Sequence, residues 1–547
     1  MRTSRYSEVE ERSDVFRKCY HVAKADFLAR VRDRRLFAVV VASVYLGHLT
    51  TVGDVQLVLG DPRYRGVYNA AWIGTVMALT ASAAMAVFGF YLVKDAVARD
   101  EGDGPGQLVA SSSISDLEYL FGKWASNLAV LASLMVVMAG SVVALLWLRG
   151  TGPVVVSDVV VPFVFVAFPV AALVAAVAVL FETTPVLRGS LGNVVYFFGL
   201  VVLVVQSPVD PLGGTLVKES METALVAQHP AYDGSGYVFG QVAGSVGTFR
   251  WSGLDVTREL LVHRVAYLTV AVALIAIAAV PFRRFDPAAG PTLPGASRLS
   301  ALLGRGDATG GDSPADDRSV ADPTGDEETA TAGSTGDSVA NLPEFDGAAQ
   351  SMRPLRLLGA ELRMAVRGRS KLWYLGAAVL VGGGLVAGPQ AATGGLLVVA
   401  WVWPMFVWSG LGAREHRYRT ESLVFSSNYP VAQLAATWLA GVVVAVLFVA
   451  PAAAGLALTG EATRLAALAV GVVFVPSLAL AAGVVSKSSR LFEIGYLLLW
   501  YLGPANRTTA IDYSGVTSAP PHTVASYGVA AVLLLGLALF VRRRRVA

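Results

Sequence analysis

The chain has 547 residues, 54% of them hydrophobic and 15% charged, with a mean hydropathy of +0.58 and a formal net charge of +3. Soluble domains carry about 25% charged residues, so this chain lacks the polar surface to stay dissolved, and a polytopic helical membrane protein is the class that fits. Its single cysteine, Cys19, excludes an intramolecular disulfide and any multi-cysteine metal site.

Residues 1–35 are charged and lack the apolar core of a cleavable signal peptide, so they read as a cytoplasmic N-terminus. Within them KADFLARVRDRRLF sets Phe27, Leu28 and Val31 on one helical stripe and Lys24, Arg30 and Arg34 on another. That is the pattern of an amphipathic elbow helix in the headgroup layer, although a plain stop-transfer charge cluster would also fit. Residues 36–285 form a first half with six apolar runs, near 36–57, 70–93, 125–148, 159–181, 191–206 and 264–281. A run such as LAVLASLMVVMAGSVVALLWL is long enough to cross a hydrocarbon core, which takes about 20 helical residues.

Residues 286–352 break this pattern. They are rich in Gly, Ser, Thr, Pro and acids, and positions 307–346 hold 11 acidic residues against one arginine, leaving 42 basic and 29 acidic groups elsewhere. Such a stretch cannot bury enough apolar surface to fold, so it is expected to be a disordered acidic cytoplasmic linker. A regulatory tail and a solubilising tether both fit it. Residues 353–547 form the second half. Its elbow segment, LLGAELRMAVRGRSKLW, carries Leu358, Leu362 and Val366 on one stripe. Six runs follow, near 372–388, 393–412, 433–458, 463–485, 491–503 and 523–541. The run 491–503 is short and stops at Gly503-Pro504, which suits either a less tilted span or a half-helix. About twelve transmembrane helices are expected in all. RVRDRR, FRRF, the stretch before Leu372 and the terminal RRRR fall on one side of them, which predicts a multi-pass cell-membrane protein with both termini cytoplasmic.

The two halves share three motifs in the same order. Ala25-Asp26-x4-Val31-Arg32-x-Arg34 matches Ala360-Glu361-x4-Val366-Arg367-x-Arg369. Ala98-Arg99-Asp100 matches Ala413-Arg414-Glu415, and Leu108-Val109-x-Ser111-Ser112 matches Leu423-Val424-x-Ser426-Ser427 at the same offset. Three ordered matches, each at the same place relative to the spans, read as a tandem duplication. Six spans per half make it a parallel repeat, with a pathway expected at the seam. The fold class is therefore all-α polytopic, two six-helix halves with elbow helices and cytoplasmic coupling helices.

The coupling helices are expected between the second and third span of each half. Ser115 is placed as an N-cap, with Glu118 completing a capping box. Leu117, Leu120, Phe121 and Trp124 recur at helical spacing, and the segment is fed by a turn through Gly102, Gly104, Pro105 and Gly106. A short helix along the membrane surface is the expectation. The second copy keeps the serine pair and puts Pro430 where a first helical turn tolerates it.

ARDEGDGPGQLVASSSISDLEYLFGKW resembles the segment between spans two and three of ABC-2-type transporter permeases. In that family an Arg and an acid, a Gly turn, a serine-containing stretch, an aromatic and Gly-Lys precede span three. Ser111, Ser115, Glu118, Tyr119, Gly122 and Lys123 match the pattern. The second half departs from it, with Gln433-Leu434 in place of Glu118-Tyr119 and Thr437-Trp438 in place of Gly122-Lys123. The resemblance implies the permease of an ABC exporter worked by a separate ATPase subunit in two copies, and the apolar, aromatic side chains of the eighth run suit a lipid, drug or other amphiphile as its substrate. It makes Arg99, Asp100, Ser111, Ser112, Ser115, Glu118, Tyr119, Gly122, Lys123, Arg414, Glu415, Ser426 and Ser427 candidates for ATPase coupling. Asp26, Arg32, Arg34, Glu361, Arg367 and Arg369 belong to the elbow helices.

No G-x-x-x-x-G-K-[ST] motif occurs, so ATP is expected to act only through the partner, with no cofactor bound directly. The six histidines are scattered without metal-ligand spacing, and nothing points to catalysis or nucleic acid. Glu493, one turn from Arg490, reads as a local ion pair before a proton relay, and His48 and Asp54 as headgroup-level or pore-mouth residues. Loop 207–263 suits a lid or a passive connection. Trp401, Trp403, Phe406 and Trp408 suit an amphiphile pathway or plain packing. A parallel-repeat secondary transporter and a non-transporting membrane anchor are the competing readings.

Overall fold

Each apolar run lies on a helix in the computed structural model, which describes residues 2–32, 34–52, 56–60, 63–103, 105–149, 153–206, 210, 212–230, 232, 237–240, 246–282, 285, 354–427 and 429–546. Among the described residues seven helices are long and apolar enough to cross a membrane: Ala70–Glu101, Asp116–Leu148, Val156–Thr183, Arg258–Ala279, Pro430–Thr459, Ala462–Ser486 and Pro521–Arg545. Four shorter apolar helices, Val39–Thr50, Ser190–Val204, Lys371–Val386 and Gly395–Trp408, occupy four more runs. The run 491–503 falls on Arg490–Trp500 and the π-helical turn Tyr501–Ala505 that follows it. Several helices keep apolar side chains on the outside, such as Val532 and Leu533 on the last one. Helices that satisfy their own backbone while presenting apolar side chains outward are what a bilayer demands, and the protein is membrane-embedded on this ground.

The chain divides into two units, Met1–Pro294 and Gly295–Ala547. The linker expected at 286–352 lies outside the described residues, as does Asp54.

The first unit begins with a single 30-residue helix, Arg2–Val31, packed along Asp116–Arg149. Gly122 makes this approach possible, because a Cβ there would stand 2.8 Å from the Cβ of Val22. The inward face differs from the expected one. Asp26 and Arg30 are buried, whereas Phe16, Tyr20, Leu28 and Val31 are exposed. Arg30 therefore does not reach for headgroups, since its partners lie inside the unit. The helix Arg34–Val52 follows, and the side chain of Arg34 is outside the described residues.

At the far end of the unit the loops fold together. Strands β1 (Gln56–Leu59), β2 (Tyr64–Gly66), β3 (Tyr237–Gly240) and β4 (Gly247–Phe249) form a sheet in the order β3-β1-β2-β4. β1 is antiparallel to β2 and β3, with Leu57 opposite Phe239, and β2 runs parallel to β4. Trp72 packs edge-on against Phe249 and Trp251, while Trp251 donates to Ser220 on the helix Gly214–Gln228. The described residues of loop 207–263 thus belong to a small folded cap, an addition to the all-helical body.

In the second unit Trp401 and Trp408 are fully buried, and their ring N–H groups donate to the carbonyls of Ser514 and Gly441, each at 3.1 Å. Tyr496, also buried, donates to the Trp401 carbonyl at 2.6 Å. Trp373 and Trp403 exchange hydrogen bonds between ring N–H and main-chain carbonyl, and Phe406 packs beside them. Trp401 and Trp408 thus belong to the packed interior, while Trp403 and Phe406 are partly buried. Glu493 is fully buried on Arg490–Trp500.

Candidate coupling surface

In the first unit the long helix beginning at Ala70 turns at Asp95, which holds a left-handed φ of 76°. The next helix, Ala96–Asp103, has its first amides taken by Glu182. Ala96, Val97 and Ala98 donate to that carboxylate at 3.0, 2.6 and 3.3 Å. A buried carboxylate at a helix N-terminus satisfies amides that have no intrahelical partner. Next comes the short helix Pro105–Ser111. Its end is closed by hydroxyls bonding back three residues, Ser111 to the Leu108 carbonyl at 3.1 Å and Ser112 to that of Val109 at 2.8 Å.

The capping box is present in both directions. The Ser115 amide donates to Glu118 at 2.6 Å and the Glu118 amide to the Ser115 hydroxyl at 3.3 Å. It starts the 34-residue helix Asp116–Arg149, so 115–124 is the head of the long helix and the short exposed helix is Pro105–Ser111. Leu117 is exposed, while Tyr119 and Leu120 turn inward.

Asp26 lies at the centre of the charges gathered here. Its carboxylate accepts from Lys123 at 3.0 Å and Ser126 at 2.6 Å, pairs with Arg30 at 2.8 Å, and lies 3.7 Å from Arg99. Lys123 also reaches Asp100 at 2.8 Å, and the Tyr119 hydroxyl donates to the same Asp100 oxygen at 2.7 Å. Burial alone would raise the Asp26 pKa. Arg30, Lys123 and the Ser126 hydroxyl outweigh it and hold the carboxyl below the usual range. Tyr119 in turn stacks on Phe282, with Phe285 edge-on.

The second unit repeats the central features with different partners. Glu361 is buried, as Asp26 is, and accepts from Gln433 at 2.8 Å and from Arg414 at 3.3 Å. Arg414 is the sequence match of Arg99, so the first two shared motifs meet as an acid–arginine pair in each unit. Ser426 and Ser427 bond back to the carbonyls of Leu423 and Val424 at 3.2 and 2.7 Å, as their counterparts do. Glu415 takes a 2.6 Å bond from Arg542, whose guanidinium lies over Phe425. Leu108 and Leu423, at matched positions, are 74% and 71% exposed, so each short helix offers a leucine outward.

Asp26, Arg99, Asp100, Tyr119 and Lys123 therefore converge in one unit, and Glu361 with Arg414 in the other. The serines act locally on the backbone, Glu118 caps its helix and lies 3.8 Å from Lys18, Gly122 is a contact point, Arg32 and Arg367 are exposed, and Arg369 is half-buried. Ser126 and Glu182 belong to the arrangement without having been singled out, whereas the sequence places Arg30 facing the headgroups, marks Gln433 only as a departure from the pattern and Arg542 only as part of the terminal RRRR. Glu182 alone carried a signal, as an acid ending the run 159–181. Among the described residues no cluster of His, Cys, Asp and Glu is arranged to hold a metal. Comparison of the chain with protein families, characterised proteins and solved structures finds no match.

Proposed function

We propose that the chain is the membrane-spanning permease of an ATP-driven ABC-2-type exporter, worked by a nucleotide hydrolase on separate polypeptides. The observation that carries this reading is the matched device in the two units. In each, a short helix closed by two back-bonded serines presents a leucine outward, just before a long apolar helix. In each, the arginine upstream of it pairs with a buried acid on the helix before the first apolar run. A contact that must pass force needs such stiffness and no catalytic group, and a partner hydrolase fits a sequence in which no G-x-x-x-x-G-K-[ST] motif occurs. The two surfaces would lie on the cytoplasmic side and receive one ATPase copy each.

The test is to place a photo-crosslinking residue at Leu108 and at Leu423 in the full-length protein in its native host, then identify the products. Crosslinks from both positions to a nucleotide-binding ATPase are expected. ATPase activity of the purified assembly should fall several-fold on Leu108→Asp with Leu423→Asp, both exposed and free to change without disturbing packing. Transport that continues after ATP depletion and collapses with an ion gradient would overturn the reading.

A further inference from the structure

We infer that the second unit carries a proton-sensitive bridge, in which His416 and Lys487 share Glu421 and hold the short helix Glu421–Phe425 to the end of the fourth apolar helix. The bridge would regulate one of the two surfaces proposed above, and only its consequence for transport rests on that reading. Lys487, with a left-handed φ of 56°, ends the helix Ala462–Ser486, and its ammonium lies 3.5 Å from Glu421 Oε2. His416 Nδ1 lies 3.4 Å from the other oxygen, Oε1. The intervening turn folds the histidine back onto Glu421. In it the Arg419 amide donates to the His416 carbonyl at 3.2 Å and the Thr420 amide to that of Glu415 at 2.9 Å. The first unit joins the corresponding stretches with a different pair. Glu101, at the position matched to His416, bonds to Arg188, which follows the fourth apolar helix Val156–Thr183. Glutamate and arginine ordinarily keep their charges between pH 5 and 8, whereas histidine does not.

The charges around the histidine fix the direction of the response. Glu415 holds Arg542 at 2.6 Å and Glu361 is shared between Arg414 and Gln433, which leaves Glu421 to the histidine. Burial would raise the Glu421 pKa, but Lys487 and His416 outweigh it and hold the carboxyl below its usual range, so it stays ionised while an imidazole gains or loses its proton. Arg414, Arg417 and Arg419 on the same turn and Lys487 from the facing helix end oppose an added positive charge. Arg417 and Arg419 are exposed, where water and salt screen them. Lys487 takes the opposite carboxylate oxygen, so the two cations do not compete for one acceptor. An imidazolium therefore gains a charge-assisted bond to Glu421, and by linkage the bridge tightens as pH falls.

The experiment follows amide hydrogen exchange of the full-length protein in phosphatidylcholine nanodiscs from about pH 8 to about pH 5.5, without partner or substrate. Protection over 420–426, corrected for intrinsic exchange, is compared with that over Pro105–Ser111. The Val424 and Ser426 amides, bonded at 3.1 Å to the carbonyls of Thr420 and Ser422, report the short helix. Protection there should rise about two- to fivefold toward acid, the range of a partly exposed ion pair, and stay level over Pro105–Ser111. His416→Gln should hold it at the lower level throughout, and His416→Arg at the higher one. Both variants are expected to fold, because the His416 side chain is 46% exposed. His522→Gln, at an exposed position on the last helix, should leave the response intact. A response that is absent, runs the other way, survives His416→Gln, disappears in His522→Gln or appears equally over Pro105–Ser111 would overturn the bridge. Failure here leaves the crosslinks expected of the exporter untouched, and absent crosslinks leave the bridge untouched.

Discussion

Asp26 is placed so that removing it costs far more than one hydrogen bond. Lys123 and Arg30 would stay buried, at 3% and 7% side-chain exposure, with their shared counter-charge gone. Breaking one side of a buried pair destabilises by about 3–5 kcal/mol, so Asp26→Ala should lower the thermal unfolding midpoint in detergent markedly. Asp26→Ala with Arg30→Met should recover part of the loss, because the stranded guanidinium goes with it, whereas Lys123 keeps Asp100 at 2.8 Å. The pH dependence has a definite sign. A carboxyl whose pKa is lowered on folding stabilises above its unfolded value, about 4, and loses that contribution as pH falls through the folded value. The unfolding midpoint should hold from neutral pH to about 4 and drop below it, with a smaller drop in Asp26→Ala. Gly122→Leu is expected to cost about 1–3 kcal/mol by forcing Val22 away, and protease cleavage within Arg2–Val31 would report the loosened helix. Sequence repetition pointed to Asp26 and Glu361 through their recurrence ahead of each first span. It could not name Lys123 and Ser126 as partners, because they lie 97 and 100 positions away and only the packing of two helices brings them in.

At the level of elements, a reciprocal capping box decides where the third long helix of the first unit starts. Ser115→Ala removes one side of it and should cost about 1 kcal/mol, read from the unfolding midpoint or from faster amide exchange over 115–119. The box was legible because Ser and Glu three apart precede an apolar stretch, whereas the reach of the helix was not. Its apolar run starts near 125, but Tyr119, Leu120 and Lys123 also turn inward and carry the helix back to Asp116. The short surface helix expected at 115–124 therefore lies upstream, at Pro105–Ser111. The sheet left less trace still. Its strands are three or four residues long, too short for alternation to register, and β1 finds β3 across about 180 residues of chain. Tryptophans 401 and 408 show the reverse limit, since an aromatic run reads alike whether it lines a pathway or fills an interior, and only their bonded ring N–H groups tell the two apart.

For the molecule as a whole, the repeated acid–arginine pair is the feature that, in the proposed exporter, would link docking to movement. Each unit ties the segment after its second apolar helix to the helix before its first, through Arg99 and Asp26 or through Arg414 and Glu361. The leucines that would meet a partner lie on the far side of those ties, on the short helices that follow. Docking and transmission should therefore be separable. Arg99→Gln with Arg414→Gln leaves both leucines and both serine-closed ends in place, so an ATPase should still co-purify and still hydrolyse ATP. What should fail is coupling, because a push on the short helix would bend its own turn instead of shifting the helices behind it. Substrate moved per ATP in proteoliposomes is expected to fall several-fold in the double variant and less in either single one. The second unit should be the more sensitive, since its arginine lies closer to its acid, at 3.3 Å against 3.7 Å. An unchanged ratio would show that force travels by another route, through the head of the long helix at Asp116 or through Arg542 and Glu415, and the same measurement on Arg542→Gln would then separate those two.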